Sequence, residues 1–449
     1  MIEKTLESIS SKSILVEVFG LGYVGFPLAV RLSNGGIKVR GIDINPKRIE
    51  RLKNNELLDS ELHLKNEFLH CRTSNNLDLV ISPTKSEDPK IGIICVHTPI
   101  PDKNTSSNKF VKDAVNAFLA TSKPGDVIIL ESSVSGGTTE DIKSIIESSG
   151  YNVGKDFGLC FCPERIDPLN KKWNLENIPR IIYCSDDITF KISQKIYKHV
   201  NNAHLQRVDS SKIAEVVKSY ENAFRLVNIS LVNELAILCD KLKINVNDVI
   251  KAAATKPFGF MPFYSGAGAG GHCIPKDPRF LLYAAKKYDI EFSTIENALK
   301  INIEIPKYIC DSIERIIENQ KLEKSVLVCG LTYKPDVEDM RDSPSFKIIN
   351  EFNKKEFKVF VHDPYFKEEL IEKYLKENFL EKLNFEYKKE LDDETLNDVS
   401  CLCIVQHHTK TKFRLMEIYE KSLVPFIYDC PNHLERKIES KTLLDSLGS

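Results

Sequence analysis

The apolar positions of this chain fall in short continuous runs towards both ends and at three- and four-residue spacing in the middle. SILVEVF (13–19), broken only by Glu17, reads as a strand. GLGYVG (20–25) turns the chain, FPLAVRLSNGG (26–36) carries it back as a helix, and IKVRGID (37–43) forms the next strand. Similar runs recur at IGIICV (91–96), DVIILES (126–132) and FGLCFC (157–162), separated by polar or helical stretches. Strands alternating with helices predict a parallel sheet with helices on both faces.

From about Ser210 the texture changes. SSKIAEVVKSYENAFRLVNISLVNELAILCDKL (210–242) has no proline or glycine, and its helical periodicity predicts one long helix or two in near-continuity. More helical sequence lies on both sides of a glycine-rich loop and ends near Ile305-Pro306. Strand patterns return at KSVLVCGL (324–331), KVFVHDP (358–364), VSCLCIVQ (399–406) and FIYDC (426–430). The order is an α/β domain, a helical middle and a second α/β domain, with no fixed-period repeat and no low-complexity tract.

Composition narrows the class. A length of 449 residues exceeds one ordinary core, so two or three domains are expected. With 42% apolar and 28% charged residues the chain reads as globular; a net charge of -2 without a long basic run argues against nucleic acid as a partner. No apolar stretch approaches the ~20 residues of a membrane helix, and the polar start MIEKTLESISSKS lacks the apolar segment of a signal peptide. The expectation is a cytoplasmic protein with no membrane partner. The twelve cysteines form no CxxC pair and no zinc-finger spacing, so no metal is expected. Cys160, Cys162, Cys401 and Cys403 sit in strand-like runs and read as small core residues of a reducing compartment. Every other cysteine but one reads the same way.

The exception is Cys273, in GAGAGGHCIPKDPRFLL (266–282). A thiolate adds readily to an aldehyde, and a neighbouring cation such as Lys276 favours the thiolate. Backbone amides of the glycine loop suit an anion, and Asp277 suits activation of water. On the long helix, Lys218 and Asn222 stand four apart, so they share a face, and both can donate to an alkoxide or oxyanion. At the N-terminal end, Gly20, Gly22 and Gly25 follow a strand and open a helix, the setting of a dinucleotide-binding turn. The first glycine permits the turn, the second lets backbone approach a pyrophosphate and the third lets helix pack on strand. Asp43 ends the next strand about 20 residues on, where a carboxylate binds ribose hydroxyls, favouring NAD over NADP. Arg48 nearby is a competing acceptor of a 2′-phosphate.

GLGYVGFPLA, CVHTPIPD, CPERI, AEVVKSYENAFRLVNISLVNE, GAGAGGHCIPKDP and GLTYKPDVEDMRDSP occur in an order and spacing that resemble the UDP-glucose/GDP-mannose type of nucleotide-sugar dehydrogenase, over nearly the whole chain. The resemblance implies two Rossmann-like, doubly wound parallel-sheet domains joined by a long-helix dimerisation domain. Residues 1–205 would bind NAD, 206–310 would build a homodimer and carry the cysteine loop, and 311–449 would bind the UDP moiety. It implies a four-electron oxidation of a sugar C6 hydroxyl to a carboxylate with two NAD per turnover. Cys273 would form the thiohemiacetal and then the thioester. Lys218 and Asn222 would hold the reacting oxygen, and Asp277 would assist with protons or water. Glu164 and Ser133, where a threonine is commoner, match positions around water and nicotinamide. Tyr23, Val24, Thr98, Arg48, Lys276 and Arg341 fall at cofactor positions; Arg165, Gly270 and Lys334 join Glu164, Lys218 and Asn222 at the substrate. Arg341 also matches an arginine that reaches a neighbouring subunit's site in some members. GHCIP and Glu164-Arg165 resemble members acting on UDP-N-acetylhexosamines, with the manno sugar favoured over the gluco sugar.

Some positions depart from the family pattern. Glu17 interrupts an apolar strand, which suggests a local irregularity. Ser265 and Ala267 replace common prolines and would loosen the cysteine loop; SVSGGTT lacks a proline, and Cys184-Ser185 replace a glycine pair. Three other readings remain open: a UDP-glucose 6-dehydrogenase, a two-electron hydroxyacid dehydrogenase, which needs no nucleophilic Cys273, and a nucleotide-binding regulatory protein with a decayed site.

Overall fold

Leu15–Phe19 (β1) is the centre of a first sheet, and its alternate residues enter different cores. Val16 and Val18 join a cluster with Ile91, Ile93, Val127 and Ile129, while Phe19 joins Ile94, Ile128 and Leu130 on the other face. Burial on both faces is why these strands read as unbroken apolar runs. The computed structural model describes residues 2–99, 108–167, 170, 172–200, 204–435 and 440–449, so the IPD end of CVHTPIPD lies outside the described residues.

The chain divides into two units, residues 1–221 with 279–290 and residues 222–278 with 291–449. In the first, β1 is joined by Lys38–Ile42 (β2), Leu77–Val80 (β3), Lys90–Ile94 (β4), Val127–Leu130 (β5), Gly158–Phe161 (β6), Arg180–Cys184 (β7) and Leu205–Arg207 (β8). Their order is β3-β2-β1-β4-β5-β6-β7-β8. All neighbours are parallel except β6 and β7, where Cys160 faces Cys184. The second unit holds Ser325–Cys329 (β9), Lys358–His362 (β10), Glu386–Tyr387 (β11), Cys401–Ile404 (β12), Phe426–Asp429 (β13) and Leu443–Ser446 (β14). This sheet is wholly parallel, in the order β11-β10-β9-β12-β13-β14. Both units are Rossmann-like, and the strand order of each reverses beside its first strand.

Between the sheets in sequence, Ser211–Leu242 is one continuous helix of 32 residues. By length and mean hydropathy, 1.2 over its best window, it would pass for a membrane span, although charged residues interrupt it and 44% of that window is buried within the protein. A second helix, Ser293–Gln320, runs through Pro306 rather than stopping there. Proline cannot donate to the carbonyl four residues back, that of Asn302. Asn302 is the residue on which the cysteine loop docks.

Glu17 is not an irregularity of β1. Its side chain is fully buried, with Lys90 Nζ 2.8 Å from Oε2 and Arg40 Nη1 3.2 Å from Oε1. Lys90 also donates to Thr121 Oγ1 at 2.6 Å and lies over the Phe118 ring. Removing one partner of a buried pair leaves the other charge uncompensated. Glu17→Ala should therefore lower unfolding free energy by about 3–5 kcal/mol in urea denaturation, and adding Lys90→Met should restore most of the loss.

Candidate active site

In the first unit the site residues follow the C-terminal ends of parallel strands, where open α/β sheets bind ligands. Gly20–Gly25 follow β1, Thr98 follows β4, Ser133 follows β5, and Glu164-Arg165 follow β6. The three glycines are required for different reasons. Gly20 has φ +86, and a Cβ there would lie 2.8 Å from the Cys95 carbonyl oxygen; one on Gly25 would lie 2.0 Å from the Gly20 oxygen. A Cβ on Gly22 would meet no atom within 4 Å. The second glycine therefore leaves open space at the helix N-terminus, as a pyrophosphate needs.

Asp43 fastens this turn. Its Oδ2 accepts from the Leu21 N–H at 3.0 Å and its Oδ1 from the Asn45 N–H at 2.9 Å. Two carboxylate oxygens have about four acceptor positions, so capacity for ribose hydroxyls remains. Arg48 braces the same turn: Nε donates to the Leu21 carbonyl at 3.0 Å, and both terminal nitrogens pair with the Glu61 carboxylate. Glu61, which the motif reading missed, neutralises the cation that would have welcomed a 2′-phosphate. Tyr23 is exposed, Val24 caps the helix Gly25–Asn34, and Thr98 is buried.

Glu164 is held at both oxygens. Oε1 accepts from the N–H groups of Arg165 (2.6 Å) and Ile166 (2.8 Å), and Oε2 accepts from Arg180 Nη2 at 2.6 Å. Arg165 itself grips Glu221 with Nε at 3.2 Å and Nη2 at 2.5 Å, and donates to the Pro179 carbonyl. Ser133 is half-buried beside Ser132, whose hydroxyl donates to the Val96 carbonyl at 2.7 Å.

The long helix places Lys218 and Asn222 one turn apart, both buried. Asn222 Nδ2 donates to Asp277 Oδ2 at 2.7 Å, leaving its second N–H for another acceptor. Asp277 is fully buried at the start of the helix Asp277–Lys286, and its Oδ1 has no hydrogen-bond partner. Lys276 Nζ lies 2.9 Å from His272 Nε2 and 3.7 Å from Asp277 Oδ1.

Cys273 stands apart from the other thiols. Ten cysteines are buried, Cys95 is partly buried and Cys273 is exposed. Its carbonyl accepts from the N–H groups of Lys276 and Asp277 at 3.2 and 2.8 Å. Arg341 lies within electrostatic reach of the Cys273 sulfur: burial works against its guanidinium, but the Asp339 hydrogen bonds, the Asp339 charge and then Cys273 outweigh it and raise its pKa.

The loop carrying Cys273 is tied down along its length, so Ser265 and Ala267 do not leave it loose. The Gly266 N–H donates to Asn233 Oδ1 at 3.0 Å, and Ala267 is buried in the core. The Asn302 amide pairs with both backbone groups of Ala269, at 2.6 and 2.9 Å, and the Gly271 N–H donates to the Arg341 carbonyl at 2.9 Å. A Cβ on Gly270 would stand 2.6 Å from the Asp342 carbonyl oxygen, and one on Gly271 2.8 Å from the Tyr333 ring. Only glycine lets the loop lie this close to the 333–344 segment.

The second sheet repeats the turn of the first. Gly330 has φ +93, Asp363 Oδ2 accepts from the Leu331 N–H at 2.7 Å, and Oδ1 accepts from the Tyr365 N–H at 2.8 Å. KVFVHD (358–363) ends on this aspartate as KVRGID (38–43) ends on Asp43, a signal present in the sequence and missed. Lys334 is half-buried just beyond this turn, and its carbonyl accepts from the Thr332 hydroxyl.

In chain order, the NAD binding domain, the central domain and the UDP binding domain of the UDP-glucose/GDP-mannose dehydrogenase family match residues 14–201, 212–304 and 327–436. The chain belongs to this family. Over 435 residues the dehydrogenase is 32% identical to UDP-N-acetyl-D-mannosamine dehydrogenase of Methanococcus vannielii, covering 96% of this chain and 91% of the relative. It is also 32% identical over 358 residues to UDP-N-acetyl-D-glucosamine 6-dehydrogenase of Salmonella typhi, covering 78% of this chain and 82% of that one. The solved UDP-D-ManNAc dehydrogenase of Pyrococcus horikoshii matches with a TM-score of 0.83 at 25% identity, covering 97% of this chain and 99% of that one. The dehydrogenase is thus an NAD-dependent oxidoreductase.

The glycine turn is directly testable. Gly22→Ala should leave the melting temperature unchanged and weaken NAD binding by roughly tenfold or more, because its Cβ enters only the ligand's space. Gly25→Ala should instead lower the melting temperature. Calorimetric titration and a thermal melt on each variant read both effects.

Proposed function

We propose that the dehydrogenase oxidises the C6 hydroxyl of a UDP-N-acetylhexosamine, with UDP-N-acetyl-D-mannosamine the favoured sugar, to the uronic acid. The observation that carries this reading is Cys273: an exposed thiol on a pinned loop, within reach of a cation, in a chain whose other thiols are packed away. The manno preference is supported by the whole-length likeness to the Methanococcus enzyme; the Salmonella relative keeps the gluco epimer as the second candidate.

Gly20, Gly22, Gly25 and Asp43 would hold NAD, which when bound accepts the two hydrides removed from C6. Lys218 and the free N–H of Asn222 hold the substrate oxygen and stabilise its charge as the first hydride leaves. The Cys273 thiolate then adds to the aldehyde carbon, forming a thiohemiacetal. Loss of the second hydride and the hydroxyl proton gives a thioester on Cys273. Glu164, fixed at both oxygens, orients the attacking water, and Asp277 Oδ1, which accepts no hydrogen bond, is an acceptor for its proton. Water supplies the second carboxylate oxygen and Cys273 leaves as thiolate, so sugar, two NAD and water become uronate, two NADH and three protons. A two-electron hydroxyacid dehydrogenase gives no role to this cysteine and no reason for a UDP binding domain.

We also propose a homodimer formed along the helix Ser211–Leu242. Ile213, Val216, Tyr220, Phe224, Leu231, Leu238 and Leu242 are exposed along it. At 100° per residue they form one stripe less than 90° wide. Sedimentation should give the mass of at least two chains. The free thiols fit a reducing, cytoplasmic setting.

Cys273→Ser should abolish net acid formation while leaving NAD affinity intact, by product analysis and calorimetry; a full acid yield would remove the covalent step. Across UDP-N-acetylmannosamine, UDP-N-acetylglucosamine and UDP-glucose, kcat/KM should be highest for the first.

A further inference from the structure

Behind Glu164, two buried acids share one buried arginine. Arg180, on β7, is 1% exposed and uses its two terminal nitrogens on different carboxylates. Nη2 donates to Glu164 Oε2 at 2.6 Å, and Nη1 donates to Glu131 Oε1 at 3.1 Å. The guanidinium carbon lies 4.7 Å from the centre of the Tyr197 ring, whose hydroxyl donates to the same Glu131 oxygen. Glu131 is itself buried, and its Oε2 has no hydrogen-bond partner.

A structural ion pair would need one acid. Here one cation faces two carboxylates, so a surplus negative charge is enclosed, which is costly. The acid able to give up its charge is Glu131. Burial raises its pKa first; Arg180 opposes this and the Glu164 charge adds to it, leaving a value of about 6. The other groups facing Glu131 stay uncharged or fixed near that pH. Burial lifts the Tyr197 hydroxyl and the Cys95 thiol well above their ordinary values and the Cys162 thiol to about 12. Arg180 is held charged by its two acids although burial opposes it.

We propose that Arg180 is a positioning residue for product release, fixing the Glu164 carboxylate against the attacking water, and that Glu131 sets by its charge how much of the arginine's field Glu164 receives. The proposal rests on the reading above in which Glu164 serves hydrolysis of the thioester. With three donors on it, the Glu164 carboxylate has one orientation, and only Arg180 contributes a full charge to holding it. When Glu131 takes up a proton, a negative charge beside Glu164 disappears and the arginine belongs to Glu164 alone.

The test uses the full-length enzyme with its sugar and NAD. Arg180→Gln should show a burst of about two NADH per chain followed by a steady state roughly ten- to a hundredfold slower. Intact-mass analysis should find the sugar acyl group on Cys273, with little change in KM for NAD. Wild-type turnover, or slow turnover with no burst and no adduct, overturns the proposal. Glu131→Gln, of the same shape and able to keep its Tyr197 contact, guards against a variant that does not fold. It should remove the change in kcat that accompanies protonation of Glu131 near pH 6, because it fixes the uncharged state; a profile that keeps this inflection overturns the role of Glu131. Glu164→Gln separates the two readings. If it accumulates the adduct and the Arg180 variant does not, the positioning role alone falls; if it turns over like wild type, the hydrolytic reading falls and takes this proposal with it.

Discussion

Each sheet ends its second strand on an aspartate whose two oxygens accept two backbone N–H groups. Asp43 takes Leu21 and Asn45; Asp363 takes Leu331 and Tyr365. The first of each pair belongs to the turn after the neighbouring strand, so the carboxylate fixes where that turn stands. The glycine opening the turn must then adopt positive φ, as Gly20 and Gly330 do, and the backbone beyond it presents amides at the strand reversal point. In the first sheet this leaves the open space beside Gly22. Without the aspartate the turn has no fixed place, and neither does the ligand.

Buried charge is used in two ways in the first unit. Glu17 faces two cations, one of which, Arg40, is partly exposed and also pairs with Asp78 at 3.4 Å, so the charges of this cluster balance. That arrangement fastens β1 to β2 and β4. Arg180 faces two acids with every partner enclosed, so its surplus has no outlet except protonation. The first cluster lies in the body of the sheet. The second lies directly behind a residue that the resemblance assigns to the chemistry.

Much of this was legible in the sequence because strands buried on both faces write continuous apolar runs. IGIICV, DVIILES and FGLCFC appear as β4, β5 and β6, and the glycine turn and Asp43 stand in the expected relation. What escaped notice depends on tertiary context. β7, which bears Arg180, pairs antiparallel to β6 and carries no helix-alternating signal. Glu61 and Glu131 look like ordinary acids until their arginines are placed. Pro306 reads as a helix end because proline removes a hydrogen bond; the helix continues, and the same stretch receives the cysteine loop through Asn302. The glycines before Cys273 were visible, but their reason, contact with Tyr333 and Asp342, was not.

The central claim is that one cysteine carries the sugar through two successive oxidations. Its most direct test is the amount of NADH formed per mole of UDP-N-acetylmannosamine when the reaction runs to completion with excess NAD. The account predicts about two NADH with the uronic acid as product. One NADH with an aldehyde product would contradict it.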